Sequence, residues 1–210
     1  MNPIEQLFET LSSKLDIYES FLNEGASEPE IKEIEKATGL SVPELLLQLL
    51  QKYNGEKKTL GFLGLRFLSC SEIIAQWKLL DQISSQPDFN EGERLYFQPE
   101  LLTAKSFFSN KRLPFAHDGS GQLLCIDYIP GEKGNEGQII YLPTAEPEPM
   151  SVIASSFDSF IQFIIKALQS GSLALYDDRD DYEDDEQHFA EIYFYKQWKQ
   201  DWTDIAVEYK

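Results

Sequence analysis

Apolar residues at positions 4, 7, 8, 11, 15, 18 and 21 recur at steps of three and four, with Glu, Lys and Ser between them. That spacing lays one apolar stripe along a helix, so the chain is expected to open with an amphipathic helix that Asn23-Glu24-Gly25 ends. Ser27-Glu28-Pro29-Glu30 has the form of a capping box, in which the Ser27 oxygen accepts from the Glu30 amide and the Glu30 carboxylate reaches back. It predicts a second helix, closed by Gly39. Ser41-Val42-Pro43-Glu44 repeats the device and predicts a third from Leu45 to Tyr53, which Asn54-Gly55 terminates.

From Thr59 the pattern changes to TLGFLGLRFL, where Gly61 and Gly64 break a strand-like run into one bent strand or two short ones. Ser69-Cys70-Ser71-Glu72 caps a helix through Ile73, Ile74, Trp77 and Leu80 that fades after Ile83, and residues 84–94 read as a polar loop. Leu95 to Phe108 fits no single state. Leu113-Pro114-Phe115-Ala116 then leads to a turn at Asp118-Gly119-Ser120-Gly121. The apolar run Gln122 to Tyr128, the break at Pro130-Gly131, a polar loop to Gly137 and a second run from Gln138 to Leu142 spell a β-hairpin with a long connection. The turn-forming positions are Asn54, Gly55, Asp118, Gly119, Gly121, Gly131 and Gly137. A short strand at Met150 to Ile153 follows. A last core helix runs from Phe157 through Phe160, Ile161, Ile164, Ile165 and Leu168 to Gly171, with Ser155 or Ser156 as its cap.

The expected class is α+β: helices at the N-terminus, a central antiparallel sheet containing the hairpin, and a covering helix. Composition shifts after Leu175. Residues 177–186, DDRDDYEDDE, hold eight acidic groups against one Arg, a run that repels itself and belongs in solvent. Beyond it, Phe189, Ile192, Tyr193, Lys196 and Trp198 predict another amphipathic helix, with Trp202, Ile205 and Val207 adding apolar mass. The expected division is a domain over 1–172 and an appendage over 173–210, which folds back on the domain, pairs with another protomer or engages a partner. Folding back is favoured, because tails without a structural role seldom carry so many aromatics.

The order LPFA-x-DGSGQ-x-x-CID-x-x-PG, followed by G-x-x-G-Q-I-I, resembles the SUKH superfamily, the Smi/Knr type of cell-wall-assembly-regulator domain. Upstream, Ile31-x-x-Ile34-Glu35-x-x-x-Gly39-Leu40-x-x-Pro43, Tyr53-Asn54-Gly55 and Leu68-Ser69 fit the same pattern, as do Ala154-Ser155-Ser156-Phe157-x-x-Phe160 downstream. These anchors keep their order over residues 27–170, which a chance match to one glycine-rich turn would not do. The resemblance implies an α+β domain whose bacterial members look like immunity proteins that neutralise toxins, many of them nucleases. Fungal relatives look like regulators that hold partners. Neither role is catalytic, and neither names a partner.

Charge narrows the partners. With 36 acidic against 18 basic side chains the formal net charge is −18, so nucleic acid and anionic membrane surfaces would be repelled and a basic protein steered inward. Acidity alone also serves solubility. Hydrophobic residues at 42% provide for a folded core. Two cysteines, Cys70 and Cys125, lie in apolar strand-like settings without disulfide or metal spacing, and are expected as buried free thiols. No secretory signal or membrane-spanning run is visible, so the expected compartment is the cytoplasm.

Candidate chemistry is thin. Gly131-x-x-Gly134-x-x-Gly137 has glycines at loop spacing, but they lead into a strand and carry Glu132 and Glu136, which argues against a phosphate cradle. His117, Asp118 and Asp127 together suggest a metal or acid–base site. The alternative is turn capping by Asp118, and neither a zinc set nor the alternating oxygens of a calcium loop is present. No G-x-S-x-G elbow occurs, and no cofactor is expected. The candidate partner-binding residues are Asp118 and the acidic segment Tyr176, Asp177, Asp178, Asp180, Asp181, Tyr182, Glu183, Asp184, Asp185 and Glu186. This segment either mimics phosphates in the basic cleft of a toxin, or is a solvated linker. The expected function is non-catalytic protein binding: immunity by occlusion of a cognate toxin, or a regulatory scaffold for several partners, as monomer or homodimer.

Overall fold

A computed structural model describes residues 2–16, 18–57, 64–86, 95–103, 106–144, 148–177 and 190–194. The expected strand over 59–63, loop over 87–94, acidic residues 178–186 and apolar residues 195–210 lie outside them. Five antiparallel strands in chain order build the main sheet: β1 (Arg66–Phe67), β2 (Arg112–His117), β3 (Gln122–Asp127), β4 (Gln138–Pro143) and β5 (Ser151–Ala154). Every residue of β3 and β4 is buried, which explains why both read as continuous apolar runs rather than as an alternation. Leu124, Ile126, Ile139 and Tyr141 enter the main core, whereas Leu123, Cys125, Ile140 and Leu142 enter a second cluster with Leu80, Phe107 and Met150.

Helices cover the first face. The set comprises α1 (Pro3–Lys14), α2 (Glu28–Thr38), α3 (Glu44–Lys52), α4 (Cys70–Ser84) and α5 (Phe157–Ser170). The Phe115 ring of β2 meets Phe157 and Phe160 of α5 edge-on, at centroid separations of 5.3 and 5.6 Å, which joins sheet to helix. Glu30 accepts from the Ser27 amide at 2.8 Å, and Ser69 and Glu72 cap α4 reciprocally.

Four expectations are corrected. The opening helix stops at Lys14; Leu15 is extended and Tyr18–Phe21 forms a 3-10 turn, a break that lets Leu15, Tyr18 and Phe21 all be buried. Ser41 does not cap α3. Pro43, with φ fixed at −57°, holds the N-cap position, the Val42 amide donates to Glu35 at 2.9 Å, and the Ser41 carbonyl accepts from the Tyr128 hydroxyl. Cys70 is the first residue of α4 rather than part of a strand. Finally, the expected helix over 189–198 is replaced, over its described part, by β7 (Ala190–Phe194), paired antiparallel with β6 (Leu173–Asp177). A short Ile-Tyr-Phe run suits either period, and the backbone pairing across from Leu173 and Leu175 decides it.

The irregular stretch that matched no period, over its described residues 95–103 and 106–108, is the floor beneath the second face. Phe97 donates to the Met150 carbonyl at 3.0 Å, Met150 donates to Leu95 at 2.9 Å, and Gly131 donates to Leu101 at 2.9 Å. Its end is held by Arg112, fully buried at the start of β2. The Arg112 Nη1 donates to the carbonyls of Ser106 (2.6 Å) and Phe107, while Nε lies 3.3 Å from Asp127 Oδ1. Asp127 is equally buried and also accepts from Gln138 Nε2 at 3.0 Å. A charge pair in this setting contributes little by its presence but is costly to break.

Glu56 closes the outer edge of β1. Its amide donates to the Phe67 carbonyl at 3.0 Å and its Oε2 accepts from the Phe67 amide at 2.9 Å, so one side chain replaces half of a strand pairing. The carboxyl is 2% exposed and its Oε1 has no hydrogen-bond partner. Burial pushes its pKa up to about 8, against weaker lowering by the Phe67 amide and Arg66.

Two tests arise from these buried groups. Asp127→Ala leaves the Arg112 charge unpaired and is expected to destabilise the fold by about 3–5 kcal/mol in urea unfolding, while Arg112→Met with Asp127→Leu recovers part of that loss. For Glu56, the folded state keeps a proton that the unfolded chain releases above its ordinary pKa of 4.5. Its contribution is therefore complete below pH 4.5 and is lost as pH rises to about 8. Glu56→Gln removes this dependence, so its stability relative to the parent should rise by about 1 kcal/mol or more per pH unit across that window. Equal pH slopes in parent and variant would refute the assignment.

Candidate partner-binding surface

The turn between β2 and β3 is built around one carboxylate. Asp118 Oδ1 accepts from the amides of Ser120, Gly121 and Gln122 at 2.8, 3.0 and 2.9 Å, and Oδ2 accepts from the Ser120 hydroxyl at 2.6 Å. These hydrogen bonds outweigh partial burial and hold the Asp118 pKa below the usual range. Gly119 and Gly121 supply the positive φ values of 85° and 123° that let three successive amides point at one side chain. The carboxylate is thus engaged by its own backbone.

His117 sits beside it, paired in register with Arg66 of β1. Its Nδ1 accepts from the Gly119 amide at 2.9 Å. Partial burial lowers its pKa, with Asp118 acting in the opposite direction. Arg66 in turn bridges to Glu72 at 2.7 Å, so a half-exposed network of both signs lies along this end of the sheet.

Asp127 does not join this group. In register it faces Arg112 at the far end of β2, five residues from His117, a separation of about 17 Å along a strand. The suggested His117–Asp118–Asp127 site is therefore not assembled. Among the described residues, no cluster of three His, Cys, Asp or Glu side chains could hold a metal, and no helix is long and apolar enough to cross a membrane. Cys70 and Cys125 are buried free thiols, and burial raises both pKa values, that of Cys70 to about 11.

The remaining turn residues hold segments together. Asn54 Oδ1 accepts from the Cys70 amide at 2.8 Å, and a Cβ on Gly55 would lie 2.4 Å from the Ser69 nitrogen. Gly131 likewise packs against the backbone of residues 100–102, as does Gly134, while Gly137 turns the chain into β4 at φ 85°. This glycine loop is a docking strut on residue 101 and opens no helix. Of the acidic candidates, Tyr176 and Asp177 end β6, opposite Glu191 and Ala190 of β7. Asp178, Asp180, Asp181, Tyr182, Glu183, Asp184, Asp185 and Glu186 lie outside the described residues.

Sequence reading missed Arg112 and Glu56. A charged residue heading an apolar strand and an acid directly after a buried turn were the available signals; neither shows its partner in one dimension.

A curated relative, a glucan synthesis regulatory protein of Neurospora crassa, is 25% identical over 185 residues, covering 71% of this chain and 35% of the relative. The chain thus spans about a third of that protein's length. The profile of the SMI1 / KNR4 family (SUKH-1) matches residues 25–162, from the approach to α2 into α5. Because that stretch is well over half of the chain and carries the whole five-stranded sheet with α2, α3 and α4, this chain belongs to the SMI1 / KNR4 family.

Proposed function

We propose that the chain is a non-catalytic domain that binds a basic protein, and that its role is immunity: it neutralises a cognate toxin, such as a nuclease, by occluding the active site. The observation that carries the non-catalytic reading is the commitment of both candidate acids to the backbone framework. Asp118 is engaged by three amides and a hydroxyl, and Asp127 by Arg112 and Gln138. What remains for recognition is charge, and a formal net charge of −18 favours a basic partner through long-range steering. Asp177 to Glu186 would compete with nucleic-acid phosphates for a toxin's basic cleft, with Tyr176 and Tyr182 as apolar anchors.

A second reading is favoured by the Neurospora relative, whose name is that of a regulator. On it, the chain holds several cellular partners in the cytoplasm without opposing a toxin. Affinity capture from the host with mass spectrometry, washed in parallel at low and high salt, separates the two. One basic, toxic partner, lost at high salt, is the outcome expected of immunity; several housekeeping proteins retained together would replace it with the regulator. Substituting the acids between Asp177 and Glu186 by Asn or Gln should slow association with the captured toxin about tenfold at low salt and much less at high salt. Full protection by that variant would remove the acidic segment from the account.

A further inference from the structure

Asp118 and Glu56 are both carboxyl groups held by backbone amides, and they differ in how many donors each receives. Asp118 accepts from three amides and a hydroxyl. Glu56, 2% exposed, accepts from the amide of Phe67, and its Oε1 has no partner among the described residues. A buried carboxylate stays ionised when several donors replace its water, and one amide is too few. Among the described residues, the titratable and charged groups that face Glu56 are Tyr18 of the 3-10 turn, Arg66 of β1 and Glu72 of α4. Tyr18 brings a neutral hydroxyl, and Arg66 is already bridged to Glu72 at 2.7 Å, so no unpaired cation is at hand. Glu56 therefore sits in the closed domain as the neutral acid. The same residue is a junction: its amide donates to the Phe67 carbonyl at 3.0 Å, while on the other side Asn23 donates to Gly55 at 3.0 Å and Lys57 to Phe21 at 2.6 Å. The next residue, Lys57, is exposed, so the side chain has a short route to water.

We propose that Glu56 is a proton-held latch: when it loses its proton the side chain swings into solvent and residues 54–57 detach from β1 and from residues 21–24, while the main sheet stays folded. This goes beyond a pH-dependent stability, which would follow equally from unfolding of the whole domain. The opening is local because β1 keeps its other side. Arg66 and Phe67 pair with His117 and Ala116 of β2, and Leu68 donates to the Phe115 carbonyl at 2.9 Å. The sign follows from the two forms. The closed form holds its proton up to about pH 8, whereas a solvated Glu56 releases it near the ordinary 4.5, so each pH unit between those values favours the open form about tenfold. Opening uncovers the outward amide and carbonyl of Phe67 and turns a covered sheet edge into a free one.

The test is NMR on the full chain from about pH 6 to pH 9, following the side-chain carboxyl carbon of Glu56 in glutamate-labelled protein together with amide exchange corrected for its intrinsic base catalysis. The carboxyl signal should titrate well above the ordinary range. In the same step the Phe67 and Lys57 amides should lose protection by about a hundredfold or more, while the central strands β3 and β4 remain protected at the highest pH. Glu56→Gln keeps an acceptor for the Phe67 amide and has no proton to lose, so its Phe67 protection should stay level across the range. Titration of Glu56 with Phe67 protection kept would mean that the carboxylate forms in place, and would overturn the latch. Loss of protection in β3 and β4 together with Phe67 would replace local opening with unfolding of the domain and overturn it too. Titration in the ordinary carboxylate range would show that Glu56 is not held neutral, with the same result. The labelled parent alone decides among these outcomes, whether or not the variant folds.

Discussion

The whole architecture answers to one constraint: β3 and β4 are apolar on both faces, so the sheet needs two covers. On one side the requirement is met conventionally, by the helices, with α4 placing Ile73 in the main core and Leu80 in the second cluster. On the other it is met by a stretch with little regular structure, which cannot satisfy its own backbone through a ladder. Arg112 resolves that difficulty by donating to two carbonyls of the floor while Asp127 and Gln138 balance its charge and geometry. The buried pair is less a source of net stability than the condition under which an irregular segment lies against a sheet.

A second consequence concerns the loops. Where two segments must approach within backbone contact, side chains are excluded, and the close approaches at Gly25, Gly55, Gly131 and Gly134 obey that rule. The Asn54-Gly55 and Pro130-Gly131 pairs of this chain are thus marks of packing. Asn54 ties the end of α3 to the start of α4, and the Gly131 loop ties β3 to the floor.

Much of this was legible in one dimension because its causes are local. Helical stripes, the Ser69–Glu72 box, the Asp118 turn and the two apolar runs each depend on residues a few positions apart. The failures share a different cause. Arg112 and Asp127 are 15 residues apart in sequence and meet only once β2 and β3 pair. Glu56 and Phe67 are separated by 11 and depend on a sheet edge that no local pattern displays. Ile192 and Tyr193 sit at a spacing that a helix or a strand can use, and the pairing with Leu175 and Ala174 settled it from outside the segment. Asp118 and Asp127 looked like companions because they are near in sequence, whereas a strand carries its two ends apart. The acidic segment was readable as charge but not as a mode of recognition.

The closure of β1 by Glu56 bears on how this domain could vary. Residues 54–57 bond to 21–24 on one side, through Asn23 to Gly55 and Lys57 to Phe21, and to Phe67 on the other. Glu56 therefore sits where three segments meet, its own, residues 21–24 and β1, and any residue that replaces it must both serve the Phe67 amide and fit a fully buried site. Variation at position 56 is confined by the strand edge across from it rather than by its neighbours in the chain.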